Sequence, residues 1–230
     1  MMKLTDLFDG HWPQTILFDL DGTLVDSAAD LTAAVDQMLR ELGREMAGEA
    51  RVREWVGNGV AVLVQRALAG RHDHEAAGPL DEDTYRQALA RFFDAYHDHN
   101  GLYATVYDGI ETFLSQARQQ GCRLGVVTNK PAAFTDLLLD QMGLSHWFDI
   151  TVSGDTLSVK KPHADPLHHA LEALGGDAGR ALMIGDSVTD VRAARNAGLP
   201  VVAVRYGYNY GAPIDSLGAE IVVDSLTELL

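Results

Sequence analysis

Cysteine is almost missing from this chain. A lone Cys122 excludes an internal disulfide, so an oxidising compartment gains no support. At the head of an apolar run it reads as a small buried side chain. Long apolar runs are missing as well: no segment reaches the roughly 20 residues of a membrane span. The opening decapeptide, Met1 to Gly10, is acidic where a signal peptide would be basic and then continuously apolar. Basic residues are scarce, 18 Lys and Arg against 33 Asp and Glu, for a formal net charge of −15. Nucleic acid and anionic membrane surfaces repel such a chain, so neither is expected as a partner. An anionic small molecule would be repelled too, unless a local cation or a metal reverses the field. The expectation is a soluble cytoplasmic protein, monomeric or homodimeric.

What is present is ordinary globular material: 230 residues, 47% hydrophobic and 22% charged, enough for a sizeable core. Two textures alternate. Short apolar, partly β-branched runs at 15–20, 123–128, 149–153, 181–185, 200–204 and 220–223 suit strands buried on both faces. Amphipathic stretches of helical period lie between them, at 110–120, 132–142, 166–174 and 188–197. Strand alternating with helix predicts an α/β fold, a doubly wound parallel sheet with helices on both sides. The rhythm breaks after Ser27. Residues 28–42, 52–56, 60–68 and 83–97 read as successive helices with no strand among them, far too much chain for an ordinary crossover. An inserted all-helical cap over 27–100 is expected, with the α/β core formed by 1–26 and 101–230. Gly70 to Pro79 then becomes a solvated loop, and its His72, Asp73 and His74 lack the scaffold a metal site needs.

In a parallel sheet, ligands bind beyond the carboxyl ends of the strands. The first run ends in Asp19-Leu20-Asp21-Gly22-Thr23. The second ends in Thr128-Asn129-Lys130, before Pro131 opens a helix. A loop after the third carries Lys160-Lys161-Pro162, and the fourth ends in Gly185-Asp186-Ser187-Val188-Thr189-Asp190. All four segments fall at one edge of the sheet. Several carboxylates converging there repel one another, and a hard divalent cation such as Mg²⁺, with its preference for oxygen ligands, resolves the conflict. A lysine, a threonine hydroxyl and backbone N–H groups near a helix N-terminus then suit a phosphoryl group. One aspartate of the first pair can attack phosphorus, giving an aspartyl-phosphate. The other can serve as acid and base.

These four segments, in this order, resemble the four motifs of the haloacid dehalogenase superfamily, and the helical insertion resembles its C1 cap. The resemblance covers essentially the whole chain. It implies Asp19 as nucleophile and Mg²⁺ ligand, and Asp21 as acid/base that also touches the metal through its backbone carbonyl. Thr128, Asn129 and Lys161 would hold the phosphoryl group, Asp186 would ligate the metal, and Asp190 would support the site from beside it. Within the superfamily the chain is most similar to the bacterial phosphoglycolate phosphatases. The supporting stretches are Leu24-Val-Asp-Ser27, Trp55-Val-Gly-Asn-Gly59, Val127-Thr-Asn-Lys-Pro131, Lys160-Lys-Pro-His163, Asp165-Pro-Leu167 and Tyr206-Gly-Tyr-Asn-Tyr-Gly211. Ala164 departs from the proline usual in that branch. The substrate so implied is a small phosphorylated carboxylate, 2-phosphoglycolate, cleaved by Mg²⁺-dependent phosphomonoester hydrolysis.

Other readings stay open at this stage. Sugar phosphates or N-acetylmuramate 6-phosphate are alternative substrates, and a phosphomutase would also need Asp21. A phospho-acceptor signalling module is a rival from another class, but such modules are shorter, lack a cap and order their acids differently. Asp186 and Asp190 could cap a helix, with Ser187 completing a capping box, and Thr128 and Asn129 could cap the next one. Gly57-Asn58-Gly59 is either a glycine turn between cap helices or a loop lowering backbone N–H groups onto a substrate carboxylate. The Tyr206–Tyr210 run is either a packed loop edge or part of the mouth. Asp26 and Ser27 start the first cap helix, Lys160 is expected in solvent, and Trp12, Trp55 and Trp147 are expected to pack.

Overall fold

The computed structural model describes residues 3–230. Six parallel strands form one sheet in the spatial order β5-β4-β1-β6-β7-β8. They are β1 (Thr15–Phe18), β4 (Arg123–Val127), β5 (Ile150–Val152), β6 (Ala181–Gly185), β7 (Val201–Val204) and β8 (Ile221–Val223). Both faces are covered, as apolar runs without a polar alternation require. Ile16, Phe18, Leu124, Val126, Leu182 and Ile184 point to one side, where α5 (Ile110–Gln119) and α6 (Ala132–Gln141) pack. Their neighbours Leu17, Val127, Ala181 and Met183 point to the other, against α7 (Asp165–Leu174) and α8 (Val188–Ala197). The expected doubly wound sheet is therefore present.

β1 sits at the centre, paired to β4 through Phe18–Val126 and to β6 through Phe18–Ile184. This register brings the carboxyl ends of β1, β4 and β6 level, which places Asp19, Thr128 and Asp186 at one edge. The expected strand 15–20 stops at Phe18, because the Leu20 carbonyl already accepts from the N–H groups of Leu24 and Val25 and the chain has turned.

Between β2 (Val25–Asp26) and β3 (Thr105–Val106) lie α1 (Ala28–Glu41), α2 (Glu49–Trp55), α3 (Val60–Ala69) and α4 (Glu82–His99). β2 and β3 form an antiparallel ribbon where the chain leaves and re-enters the sheet layer. Two-residue strands carry no readable period, so this ribbon is not legible in the sequence. The four helices share an apolar cluster built on Met38, Trp55, Phe92 and Tyr96, which Phe134 of α6 and Tyr208 join from the sheet side. Asp30 on α1 is fully buried and accepts from the N–H groups of Gly101 and Tyr103, both at 2.7 Å, tying α1 to the returning chain. α2 begins three residues before the expected Val52 and α4 extends to His99. Asp81 starts α4 by accepting from Thr84 N at 2.8 Å.

Cys122 is buried, its Sγ 3.0 Å from the Pro13 carbonyl, and burial lifts its thiol to about 11. It belongs to the core, as its place before β4 suggested. Trp55 packs in the helical cluster and Trp12 and Trp147 against the sheet. Among the described residues no helix is long and apolar enough to cross a membrane.

Candidate active site

Asp19 is the first residue past β1, and its backbone N–H still donates to Ile184 on β6 at 3.0 Å. Its Oδ1 accepts from Leu20 N at 2.7 Å and meets Lys161 Nζ at 2.9 Å. The chain then reverses at Gly22, whose φ of +85° suits glycine, and a Cβ there would lie 2.4 Å from Asp186 Oδ2. Asp186, past β6, is fixed from two sides. Thr23 Oγ1 donates to its Oδ1 at 3.1 Å and Tyr208 N to its Oδ2 at 2.7 Å. Asp190 on α8 accepts at Oδ2 from the Ser187 N–H and hydroxyl, while its Oδ1 meets Lys161 Nζ at 2.7 Å. The helix-start role of Ser187 and Asp190 and their place in the site are thus compatible: one carboxylate does both.

Asp19, Asp186 and Asp190 each offer an oxygen within 4.8 Å of the others, and all are buried. Burial pushes the Asp19 carboxyl up to about 7, against the pull of Lys161 and with the push of Asp190. Asp186 is likewise held well above the ordinary range, by burial and then by Asp190 and Asp19. Burial opposes the charge on Lys161, but Asp19 and Asp190 outweigh it and hold the lysine protonated. Once ionised, three carboxylates against one ammonium leave two negative charges uncompensated. That deficit, lined only by oxygen donors, matches a divalent cation.

Asp21 has other partners. Both of its side-chain bonds fall on Oδ1, from Ser27 Oγ at 2.5 Å and Lys130 Nζ at 2.9 Å. Its carboxylate lies outside the acidic trio, so the side chain is not the third carboxylate of the cluster; Asp190 is. This separates the two acids of the first motif into different surroundings, one facing the trio and the other a lysine. Lys130 was not singled out from the sequence, although it follows the Thr-Asn pair directly. Its ammonium is buried and also bonds the Tyr96 hydroxyl, with the Tyr96 ring 4.8 Å away.

Thr128 and Asn129 are buried at the end of β4, and both line the cavity beside Asp19. The Asn129 amide, however, is committed elsewhere: its Nδ2 donates to the Gly57 and Lys161 carbonyls, each at 3.0 Å. With both N–H groups so used, its side chain serves as a bridge between the helical unit and the lysine loop. One further expectation changes. Lys160 is half-buried, its Nζ beneath the Gly57–Gly59 loop and 3.4 Å from where a Gly59 Cβ would sit, so it is no free surface lysine. His72 is exposed yet engaged, with Nδ1 2.8 Å from the Glu54 carbonyl and Nε2 3.3 Å from Arg66, which itself faces the Tyr210 ring.

Gly57 and Gly59 both adopt positive φ, +122° and +85°, between α2 and α3. Besides the Gly57–Asn129 bond, Asn58 Nδ2 reaches Thr189 Oγ1 on α8 at 3.3 Å. The Tyr206–Tyr210 run closes the same seam. Tyr208 OH accepts from Ser27 N and donates to Asp26, both at 2.9 Å, and Tyr210 OH shares a 2.7 Å bond with Thr189. The Tyr208 backbone thus holds Asp186 while its hydroxyl holds the start of α1, so this segment is packed between the acidic trio and the first cap-side helix. Beside Asp19 lies a cavity of about 30 Å³, lined by Asp19, Asp21, Thr128 and Lys130 on the sheet side and by Leu31, Val60 and Leu63 from the helices.

Known proteins resemble this chain. The family model described as haloacid dehalogenase-like hydrolase matches residues 16–204. The phosphoglycolate phosphatase of Pseudomonas putida is 46% identical over all of this chain and 83% of its own length. That of Nitrosococcus oceani is 45% identical over 94% of this chain and 95% of its own. A crystal structure of a predicted phosphoglycolate phosphatase from Haemophilus somnus superposes with a TM-score of 0.87 at 33% identity, covering 94% of this chain and 96% of that one. The ordered motifs, the acids they gather past β1 and β6, and a family match that runs from the first strand to the end of β7 lead to one conclusion: the chain belongs to the haloacid dehalogenase-like hydrolase family.

Proposed function

We propose that the protein is a Mg²⁺-dependent phosphomonoesterase acting on 2-phosphoglycolate, in the cytoplasm. The observation that carries this is the pairing of Asp19 with Lys161 at 2.9 Å inside a buried acidic trio, facing a small cavity. Relatives at 45–46% identity bearing the name phosphoglycolate phosphatase support the substrate. Asp19, Asp186 and the carbonyl of Asp21 would hold the ion, with Asp190 beside them. When bound, Mg²⁺ neutralises the trio and draws charge from the phosphoryl oxygens.

Each remaining step belongs to the chain itself. Lys161 and the Thr128 hydroxyl hold the phosphoryl oxygens and face the charge that develops on them. An Asp19 oxygen attacks phosphorus in line; the bond from phosphorus to the ester oxygen breaks, and Asp21 delivers its proton to that oxygen. Ser27 and Lys130 grip Asp21 by Oδ1, which leaves Oδ2 as the oxygen that gives the proton. Water then attacks the aspartyl-phosphate, Asp21 takes its proton, and the bond to Asp19 breaks to release phosphate. The helices α1–α4 act as a cap, keep bulk water from the intermediate and screen substrates by size.

A phosphate-release screen across small phosphate esters, with Mg²⁺ and with chelator, tests this reading. It predicts a clear preference for 2-phosphoglycolate that chelation abolishes. Weak hydrolysis of every ester alike, or activity that needs a sugar bisphosphate and frees no phosphate, would refute it.

A further inference from the structure

The cavity beside Asp19 and Asp21 has an apolar far wall of Leu31, Val56, Val60 and Leu63, and among the described residues Lys130 is the only basic one that lines it. An ammonium in such a place is costly unless it is partnered. Lys130 is 4% exposed. Its Nζ donates to Asp21 Oδ1 and to the Tyr96 hydroxyl. An ammonium has three donors, so one is left for whatever occupies the cavity. Orienting Asp21 does not by itself explain this lysine, since Ser27 Oγ already grips the same oxygen at 2.5 Å.

We propose that Lys130 is the specificity-determining residue of the site: its ammonium takes the carboxylate of a short substrate whose phosphoryl group faces Asp19 and Lys161, with Tyr96 steadying the ammonium from the helical side. The assignment rests on the phosphomonoesterase reading above and names the group that selects the substrate. A neutral leaving group of equal length leaves the third donor unpaired in an apolar cavity, and sites built to bond a polar group discriminate strongly against analogues that lack it. A bulkier leaving group meets the apolar wall of Leu31, Val60 and Leu63.

The test compares kcat/KM for 2-phosphoglycolate and for ethyl phosphate, which has a similar length and no carboxylate, in the parent protein and in Lys130→Met. Any general harm to Asp21 or to folding lowers both rates and cancels in their ratio. The loss for 2-phosphoglycolate should exceed the loss for ethyl phosphate by about 30-fold or more, the scale of one charged hydrogen bond. Equal losses would make Lys130 a structural partner of Asp21 and overturn the assignment, as would an unchanged preference. A parent protein that does not favour 2-phosphoglycolate over ethyl phosphate overturns the underlying substrate reading instead, so the two failures are distinct. Should Lys130→Met not fold, Tyr96→Phe removes only the hydroxyl that steadies the ammonium. It should lower the 2-phosphoglycolate rate about three- to tenfold more than the ethyl phosphate rate, and equal effects would again overturn the assignment.

Discussion

Replacing Asp19 by Asn should stabilise the metal-free protein at neutral pH while abolishing its activity. Asn has the shape of the protonated acid without its charge. In the folded chain the Asp19 carboxyl is raised by burial from an ordinary 3.8 to about 7, net of the attraction from Lys161. Below the lower value both folded and unfolded chains carry the proton, and the parent and the variant are served alike. As pH climbs toward the higher value, unfolding lets the proton leave more easily than folding does, so the parent loses stability. Above about 7 the loss is complete, on the order of 4 kcal/mol at ~1.4 kcal/mol for each tenfold step in proton affinity. Urea unfolding of both proteins in chelator, at about pH 4.5, 6 and 7.5, would read this directly. The two stabilities should converge at the acid end and separate as pH rises, with the variant the more stable. Mg²⁺ should narrow the gap by stabilising the parent more than the variant, which keeps Asp186 and the Asp21 carbonyl, and its affinity for the parent should rise with pH as binding expels the Asp19 proton. Parallel stability curves across this range would refute the argument, because they would mean that folding does not penalise the ionised acid.

Other perturbations probe neighbouring parts of the site. Lys161→Met removes the one ammonium among Asp19, Asp186 and Asp190, and should cost about 3–5 kcal/mol in thermal or urea unfolding along with all turnover. Gly207→Ala sets a Cβ 2.2 Å from the Asp186 Cβ and should weaken Mg²⁺ binding by calorimetry about tenfold or more. Gly179→Ala, whose nearest neighbour would be 3.6 Å away, is the matched control and should leave the affinity unchanged. Asn129→Ala leaves the Gly57 and Lys161 carbonyls without their donor, costing about 1–3 kcal/mol. It should speed hydrogen exchange at the Asn58 and Gly59 amides, and unchanged exchange there would show that the Asn129 bridge does not hold the loop down.

The α/β rhythm and the helical insertion were legible in the sequence because both are local. A run such as Leu182-Met-Ile-Gly185 is apolar on both faces whatever surrounds it, and the period of α1 or α8 repeats within a dozen residues. The order of the motifs fixed which residues would meet at the sheet edge, since parallel strands deliver their carboxyl ends to one side. Asp19, Thr128, Asp186 and Asp190 could be named on that basis alone. What each side chain would touch could not. Asn129 was expected at the phosphoryl group, yet its amide bridges the carbonyls of Gly57 and Lys161, residues 72 and 32 positions away. Lys160 was expected in solvent and instead sits half-buried by the Gly57–Gly59 loop.

Lys130 shows the division most clearly. Nothing within its own stretch says that a lysine there will be buried. Only when α4 packs against α6, with the Tyr96 and Phe134 rings 4.7 Å apart, does a hydroxyl arrive above it while Asp21 comes from 109 residues earlier in the chain. The sequence by itself determined the strands, the helices and the acids at the strand ends, because these depend on neighbours along the chain. Tertiary structure decided which acid faces the trio and which faces a lysine, and it seated the helices over both. Those outcomes depend on distances between segments that local chemistry leaves free.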